Sequence, residues 1–273
     1  GSIQSPIANF ARVIKQIAEN GGATAEATEE AAEAESDLAY VKEKGVLVVG
    51  ITDFAPMDYK DEAGEWIGFD ADMAKAFAKY LGVEVKFKEI VWKNKQLELD
   101  GKTIDCIWNG MTLNEERKEA MNCGDPYCQN KQVVIVKKDV AEQYQTEESI
   151  KNLKIAVEKG SAGKDVVDSL GITNCVEMDA QSQAIMEVNG GTADAAIIDY
   201  VMACAMVGDG TGYPNLTQTI SFGSEEYGVG FRKTSDLAEE WNKFWKDSYD
   251  NGTVMEIAKK YNINYINFNS RPR

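Results

Sequence analysis

Short apolar runs alternate with helical periodicity along most of this chain, and this alternation limits the folds open to it. The run Val46–Ile51 is rich in β-branched residues and too short for a helix, which is typical of a buried parallel strand. Apolar residues then recur at helical spacing from Met73 to Leu81. Asp70 is the expected N-cap of this helix, and Gly82 follows its end.

The same pattern continues and then starts again. Strands are expected at 83–90 and 104–108, with a short helix before Gly101, and this β-α-β-α-β order implies an open parallel sheet with helices on its faces. A second unit follows Asp125-Pro126-Tyr127, with strands expected at 132–137, 153–157, 175–178 and 194–198 and helices at 162–170 and 182–188. A strand at 227–231 and two amphipathic helices within 235–263 complete the pattern. We therefore expect two α/β lobes, joined by extended segments near 128–134 and 223–230.

Two strand-to-helix junctions indicate a site for an anion. The run Ile104–Thr112 leads into a helix start with Arg117 close by, so free backbone N–H groups and a guanidinium meet at one place. Gly160-Ser161-Ala162-Gly163 opens another helix after a strand. Structural explanations are also open, because Thr112 and Glu115 could form a capping box and Asp199 could cap the helix that follows it. The two half-sites together suggest a small anion-bearing ligand held between the two units.

Composition excludes several classes of function. The 273 residues include 29 Lys and Arg against 45 Asp and Glu, and the formal net charge of −16 argues against binding of nucleic acid or anionic lipid. The chain has no histidine, so histidine-dependent triads and most zinc sites are excluded, and we expect no metal and no cofactor. No apolar run approaches the roughly 20 residues of a membrane span. The five cysteines form no metal-binding pattern; a Cys123–Cys128 disulfide is geometrically possible, but buried free thiols are the favoured interpretation.

The first 37 residues differ from the rest. Residues 19–37 are rich in Ala, Glu, Thr and Gly without a large apolar side chain, which predicts a tether or a disordered tail. Residues 6–19 carry apolar side chains at helical spacing, so a short amphipathic helix and a tail remnant are both open.

The following motifs occur in order along the chain: Phe54-Ala55-Pro56-Met57-Asp58-Tyr59, Gly68-Phe69-Asp70, Trp92, Ile104-Asp105, Asn109-Gly110-Met111-Thr112, Arg117, Asp125-Pro126-Tyr127, Gly160-Ser161, Asp194-Ala195 and Asp199. Over roughly residues 38–263 they resemble the extracellular polar amino-acid-binding proteins of bacterial ABC importers. The resemblance implies a periplasmic-binding-protein-like fold of two lobes, each a mostly parallel sheet flanked by helices, joined by two hinge segments. The lobes would comprise residues 38–130 with 226–267, and residues 131–225.

The resemblance also implies how the ligand's α-carboxylate is bound. The matching groups are the Arg117 guanidinium and the backbone N–H groups of Thr112, Ser161 and Ala162. A bidentate guanidinium together with N–H groups at a helix start is chemically suited to a carboxylate.

The remainder of the ligand would be bound by groups from both lobes. The α-ammonium is matched to the carboxylate of Asp199, the carbonyl of Gly110 and the hydroxyl of Thr112. Phe54 and Trp92 match positions that enclose the ligand's side chain, and an aromatic face also attracts cations. The alternative for these two rings is a place in the hydrophobic core.

The amino acid that is bound is the least determined feature. Asn109 and Met111 belong to the matched motif, and we include them among the expected ligand contacts. Asp53, Asp58 and Glu158 flank matched positions, and two inward-pointing carboxylates would favour a cationic side chain. We lean towards lysine or arginine, with glutamine or cystine nearly as well supported.

The resemblance implies an extracellular monomer that is not an enzyme and that delivers a free L-amino acid to an importer permease. The N-terminal segment resembles the spacer after the lipid-anchored cysteine in members from single-membrane bacteria; a two-membrane bacterium would keep the protein in its periplasm. A sensory receptor domain and a dehydratase-like enzyme of the same fold are the alternatives.

Overall fold

A computed structural model describes residues 36–266. The expected tether therefore lies almost wholly outside the described residues, and the short amphipathic helix expected at 6–19 lies entirely outside them. Within residues 36–266, no helix combines the length and apolarity that a membrane crossing requires. All five cysteines are free thiols, in agreement with the favoured interpretation of the sequence.

The elements alternate as the sequence pattern indicates. The strands are β1 (Val46–Ile51), β2 (Tyr59–Lys60), β3 (Trp66–Ile67), β4 (Glu84–Glu89), β5 (Cys106–Thr112), β6 (Asn122–Cys123), β7 (Cys128–Lys137), β8 (Ile155–Glu158), β9 (Cys175–Met178), β10 (Ala195–Asp199) and β11 (Leu216–Phe231). The α-helices are α1 (Asp37–Lys44), α2 (Phe69–Leu81), α3 (Lys95–Asp100), α4 (Glu115–Ala120), α5 (Glu147–Ile150), α6 (Ala162–Ser169), α7 (Gln181–Gly190), α8 (Tyr200–Met206), α9 (Leu237–Asp250) and α10 (Thr253–Lys260).

One large sheet consists of two parallel halves joined by two long antiparallel strands. Its order is β4-β1-β5-β11-β7-β10-β8-β9, and β6 pairs with β11 beside this path. β1 runs parallel to β4 and β5, and β8 runs parallel to β9 and β10. β11 and β7 pair with each other in the middle, with register shifts near Gln218 and Phe222. The extended joining segments expected at 128–134 and 223–230 lie in these two strands.

Aromatic packing consolidates the first half of the molecule. Trp241 and Trp245 lie one turn apart on α9 and stack at 5.3 Å with an interplanar angle of 11°. Trp241 contacts Trp108 on β5 edge to face at 5.6 Å, and Trp245 lies 5.4 Å from Tyr127. Because large aromatic side chains bury much apolar area, this cluster fixes α9 on the sheet. Polar residues occupy the strand ends between the two halves.

The start of α2 differs from the prediction. Gly68, not Asp70, is the N-cap residue, and it has a φ of 124° that favours glycine. Asp70 instead lies buried within the first turn. Its Oδ2 accepts hydrogen bonds from the Gly110 N–H (2.7 Å) and the Tyr127 hydroxyl (2.7 Å). The sequence rule failed because a tertiary contact uses the carboxylate.

Strand β5 and its junction with α4 also differ. β5 extends to Thr112 because its last residues pair with β11, so the predicted end at residue 108 was too early. The predicted capping box of Thr112 and Glu115 was wrong. Asn114 caps α4, and its side-chain oxygen accepts from the Arg117 N–H at 2.9 Å. Thr112 therefore does not cap α4 and is the last residue of β5.

Candidate ligand-binding site

A small cavity lies where β5, β8 and β10 end and α6 begins. It has about 250 Å³ of space not filled by protein atoms, and this figure includes its opening to solvent. This place, beyond the carboxyl ends of parallel strands, is where open α/β sheets bind ligands. The lining residues come from both halves of the sheet and are Trp92, Asn109, Gly110, Thr112, Arg117, Glu158, Ser161, Ala162, Gln181 and Asp199.

Arg117 provides a cation at one end of the cavity. Its side chain is buried, and its Nη1 donates to the Thr112 carbonyl at 2.7 Å while Nη2 donates to the Gly160 carbonyl at 3.4 Å. Its acidic neighbour Asp165 lies 3.7 Å away and has a side chain that is 55% exposed, so water screens that charge. The guanidinium is thus held in place by neutral carbonyls and can bind an anion.

The start of α6 lies against the same cavity. Ser161 is the N-cap, and its hydroxyl oxygen accepts from the Lys164 N–H at 3.2 Å. Gly163 allows close packing, because a Cβ there would lie 2.7 Å from the Ile197 carbonyl oxygen. Ser161 and Ala162 therefore bring the positive end of a helix to the cavity wall, where it favours an anion.

Asp199 provides the opposite charge. It is the last residue of β10, it is buried, and its side chain does not cap α8. The side-chain amides of Asn130 and Gln132 each donate to its Oδ1 at 2.5 Å, and the Gln181 amide donates to its Oδ2. Burial, followed by the charge of Glu225, raises the pKa of Asp199 to about 7. Three neutral amides orient this carboxylate but leave its charge without a cation.

Glu225 connects this carboxylate to the other half of the site. It lies on β11, and its Oε1 accepts from the Thr112 hydroxyl at 2.9 Å. The same oxygen accepts from the amides of Asn130 (2.5 Å) and Gln132 (2.7 Å). The two long strands therefore carry a hydrogen-bond network from Asp199 to Thr112.

Glu158 is a third carboxyl group at the cavity. It ends β8 and is 3% exposed, and its Oε1 has no hydrogen-bond partner among residues 36–266. Burial and the nearby Asp199 raise its pKa to about 8. Lys95 lies behind the cavity, where burial and the charge of Arg117 lower its pKa to about 8. Its Nζ donates to the Gly160 carbonyl at 3.2 Å.

The cavity lining includes the predicted site residues except Asp53, Phe54 and Met111. Phe54 is buried behind Gly110, where a Cβ would lie 2.3 Å from its ring, so it supports the cavity wall. Asp53 is exposed, and its Oδ2 accepts from the Ser182 hydroxyl at 3.1 Å. The Met111 side chain lies in a hydrophobic cluster because consecutive strand residues point to opposite faces. Asp58, which was considered with the flanking acids, is wholly buried away from the lining.

Sequence reasoning missed Gln181, Glu225, Asn130 and Gln132. A signal for two of them existed, because Asn130 and Gln132 are two residues apart on one strand and therefore point to the same face of it. Gln181 and Glu225 had none, since single polar residues near element ends are common. In the described part of the chain, no cluster of three or more Cys, Asp or Glu side chains could hold a metal ion.

Comparison with known proteins gives consistent matches. Residues 47–264 match the family "Bacterial extracellular solute-binding proteins, family 3". The arginine-binding extracellular protein ArtP of Bacillus subtilis is 30% identical over 234 residues, covering 80% of this chain and 86% of that protein. The B. subtilis glutamine-binding protein GlnH is 31% identical over 263 residues, covering 93% and 94%. A crystal structure of a mutant of ArgBP from T. maritima superimposes with a TM-score of 0.78 at 33% identity, covering 82% of this chain and 98% of that one.

Proposed function

The chain belongs to the family 3 bacterial extracellular solute-binding proteins, and we propose that it binds a free polar L-amino acid for uptake by an ABC importer. Its relatives support this, since ArtP is named for arginine and GlnH for glutamine. The expected mixed α/β fold, with a large sheet flanked by helices, is confirmed.

The observation that carries the proposal is the pair of opposite charges at the cavity. Arg117 is held by neutral carbonyls, and Asp199 is held by neutral amides. A zwitterionic amino acid offers each of them a partner inside the cavity, with its α-carboxylate at Arg117 and its α-ammonium at Asp199. Charge-assisted hydrogen bonds of this kind are stronger than neutral ones, and they fix the orientation of the ligand.

The other lining residues complete the two ends. We place the backbone N–H groups of Thr112, Ser161 and Ala162 around the α-carboxylate, because free N–H groups at a helix start favour an anion. The carbonyl of Gly110 and the hydroxyl of Thr112 join Asp199 around the α-ammonium. The side chain of the ligand then extends past Trp92, which lines the same cavity.

Ligand binding would be coupled to closure of two lobes. We assign residues 38–130 and 226–267 to the first lobe and residues 131–225 to the second, with β7 and β11 as hinges. Contacts between these parts include Lys95 Nζ to the Gly160 carbonyl (3.2 Å) and the Ser182 hydroxyl to Asp53 (3.1 Å). A ligand that contacts both lobes favours the closed form by its differential affinity, which is the behaviour of hinge-closing periplasmic binding proteins.

The proposal includes the protein's setting. Family membership indicates an extracellular or periplasmic protein. We propose that it works as a monomer with an importer permease, with a lipid anchor if the source is a single-membrane bacterium. We also propose binding without turnover, so the NMR spectrum of the bound amino acid should stay unchanged on long incubation. A new product would favour the dehydratase-like alternative.

The proposal can be tested by a thermal-shift screen of the 20 amino acids and cystine. A cognate ligand raises the melting temperature of the wild type, because it binds the folded state alone. Arg117→Ala should fold but lose this shift, since truncation of one partner of a buried charge pair costs about 2–5 kcal/mol. Lys118→Ala is the matched control, because Lys118 is exposed on the same helix and pairs with Glu115 at 3.2 Å.

Two results would contradict the proposal. One is that the wild type shows no thermal shift with any amino acid. The other is that the affinity of Arg117→Ala lies within about threefold of wild type, which is a much smaller loss of binding free energy than the roughly 2 kcal/mol expected for a buried pair.

A further inference from the structure

We propose that Glu158 binds a positively charged group on the ligand's side chain, so that the site selects amino acids of net charge +1, such as arginine and lysine. This inference rests on the proposed function and narrows it to a substrate class. Its basis is the position of one carboxylate oxygen and the charge balance of the cavity.

Glu158 has an unused acceptor at the cavity. The residue ends β8, directly before the loop that leads to Ser161, and it is 3% exposed. Its Oε1 is buried without a hydrogen-bond partner among the described residues. Buried polar atoms are rarely left in this state, because water has been lost and nothing has replaced it. A ligand group that donates a hydrogen bond at this point would satisfy the atom.

The charges that line the cavity favour a cationic donor. Arg117 contributes +1, while Glu158 and Asp199 contribute −1 each, so the lining carries −1 when all three are ionised. Lys95 and Glu225, directly behind the lining, cancel each other. With a neutral zwitterion bound, one of these carboxylates would have to keep a proton, because uncompensated buried charge is strongly unfavourable. An amino acid of net charge +1 brings the summed charge of lining and ligand to zero.

Lys95 does not provide this compensation in the structure. Its Nζ donates to the Gly160 carbonyl at 3.2 Å and to the Trp92 carbonyl at 3.4 Å. The same nitrogen lies 4.7 Å from the centroid of the Trp92 ring. The pKa of Glu158 is raised to about 8 although Lys95 and Arg117 both act to lower it. Without ligand a proton therefore neutralises most of Glu158 near neutral pH, and a cationic group of the ligand would take the place of that proton.

The test uses pairs of ligands that match in shape but differ in charge. Arginine and citrulline differ in a guanidinium against a neutral ureido group, and lysine and 2-aminoheptanoic acid differ in an ammonium against a methyl group. Calorimetry on the wild type should show arginine or lysine binding about 100-fold more tightly than its neutral partner, as expected for a desolvated charge pair. This comparison needs no variant.

A variant then tests the role of Glu158 itself. Glu158→Gln should weaken binding of the cationic ligand about 100-fold and leave citrulline within about threefold. Glu177→Gln is the matched control, because this substitution removes the same net charge. Glu177 is exposed and lies on the adjacent strand β9. This control should bind like the wild type.

The outcomes separate the two proposals. Tightest binding of glutamine, cystine or another neutral amino acid would overturn the selection by charge and leave the proposed function standing. Equal losses of arginine and citrulline in Glu158→Gln would show that Glu158 supports the shape of the site instead of binding the charge. No binding of any amino acid by the wild type would overturn both proposals.

Discussion

Two pairs of buried carboxyl groups, one in the core and one at the cavity, differ in what can neutralise them. Asp58 and Asp70 lie in the core, whereas Glu158 and Asp199 line the cavity. Burial raises the pKa of all four groups. In the core a proton is the available cation, but at the cavity a ligand can take its place.

Hydrogen-bond partners do not separate the two pairs, because each pair has a buried carboxyl oxygen without a partner among the described residues, on Asp58 in the core and on Glu158 at the cavity. Asp70 accepts from a backbone N–H and a tyrosine hydroxyl, while both oxygens of Asp58 lack a partner within the described residues. Asp199 is oriented by amides towards open space. A raised pKa therefore indicates only that a carboxyl group is buried. A binding group differs from a structural one in having access to a cavity.

The largest expected effect is loss of binding in Asp199→Asn. The amide keeps the shape but removes the negative charge opposite the α-ammonium, so affinity should fall by about 2–5 kcal/mol. Calorimetry with the cognate amino acid and with its analogue lacking the α-amine measures this. Equal losses for the two ligands would count against the role of Asp199.

Asp70→Ala should instead act on folding. It leaves the Gly110 N–H and the Tyr127 hydroxyl without their acceptor, and each orphaned donor costs about 1–3 kcal/mol. Urea denaturation should show this loss of stability, with a smaller change in affinity than in Asp199→Asn. The contrast between the two pairs would break down if Asp70→Ala were as stable as wild type but unable to bind.

The pH dependence of stability should separate the pairs as well. A carboxyl whose pKa is raised on folding binds more protons in the folded state than in the unfolded state, so stability falls as pH rises from about 5 to 8. The ligand-free protein should therefore melt at lower temperature at pH 8 than at pH 5.5. A saturating cationic amino acid should reduce this slope, because it keeps Glu158 and Asp199 ionised and removes their contribution, while that of the core pair remains. A slope unchanged by the ligand would mean that the ligand does not meet these two carboxylates.

The smallest effect is expected for Asp53→Ala. Asp53 is exposed and makes one hydrogen bond to Ser182 across the lobes, outside the cavity. Exposed polar pairs contribute about 0–1 kcal/mol, so calorimetry should find the affinity within about fivefold of wild type. A larger loss would return Asp53 to the ligand contacts, as the sequence suggested.

Much of the fold was predictable because short apolar runs and glycine helix ends are local signals. The expected bounds of β1 and β9 agree with the structure, and so does the glycine that ends α2. Failures occurred where a tertiary contact overrode a local rule. Asp70 was expected to cap α2, but its carboxylate is used by Gly110 and Tyr127.

The site residues also divide into those with a local sequence signal and those that depend on tertiary contacts. Arg117 and Ser161 were assigned to the site because they lie near a strand end and at a helix start, whereas Asp199 was assigned through the family resemblance; all three line the cavity. Met111 was placed in the site by its motif, but strand alternation turns its side chain to the core. The role of Glu225 depends on the register of β11 against β7, which no local pattern encodes.

The most direct test of the two-lobe clamp is a crystal structure with the amino acid that gives the largest thermal shift. We expect the α-carboxylate at Arg117 and the start of α6, the α-ammonium at Asp199, and a side-chain cation at Glu158. A ligand bound in the opposite orientation, or one that contacts a single lobe, would contradict the account.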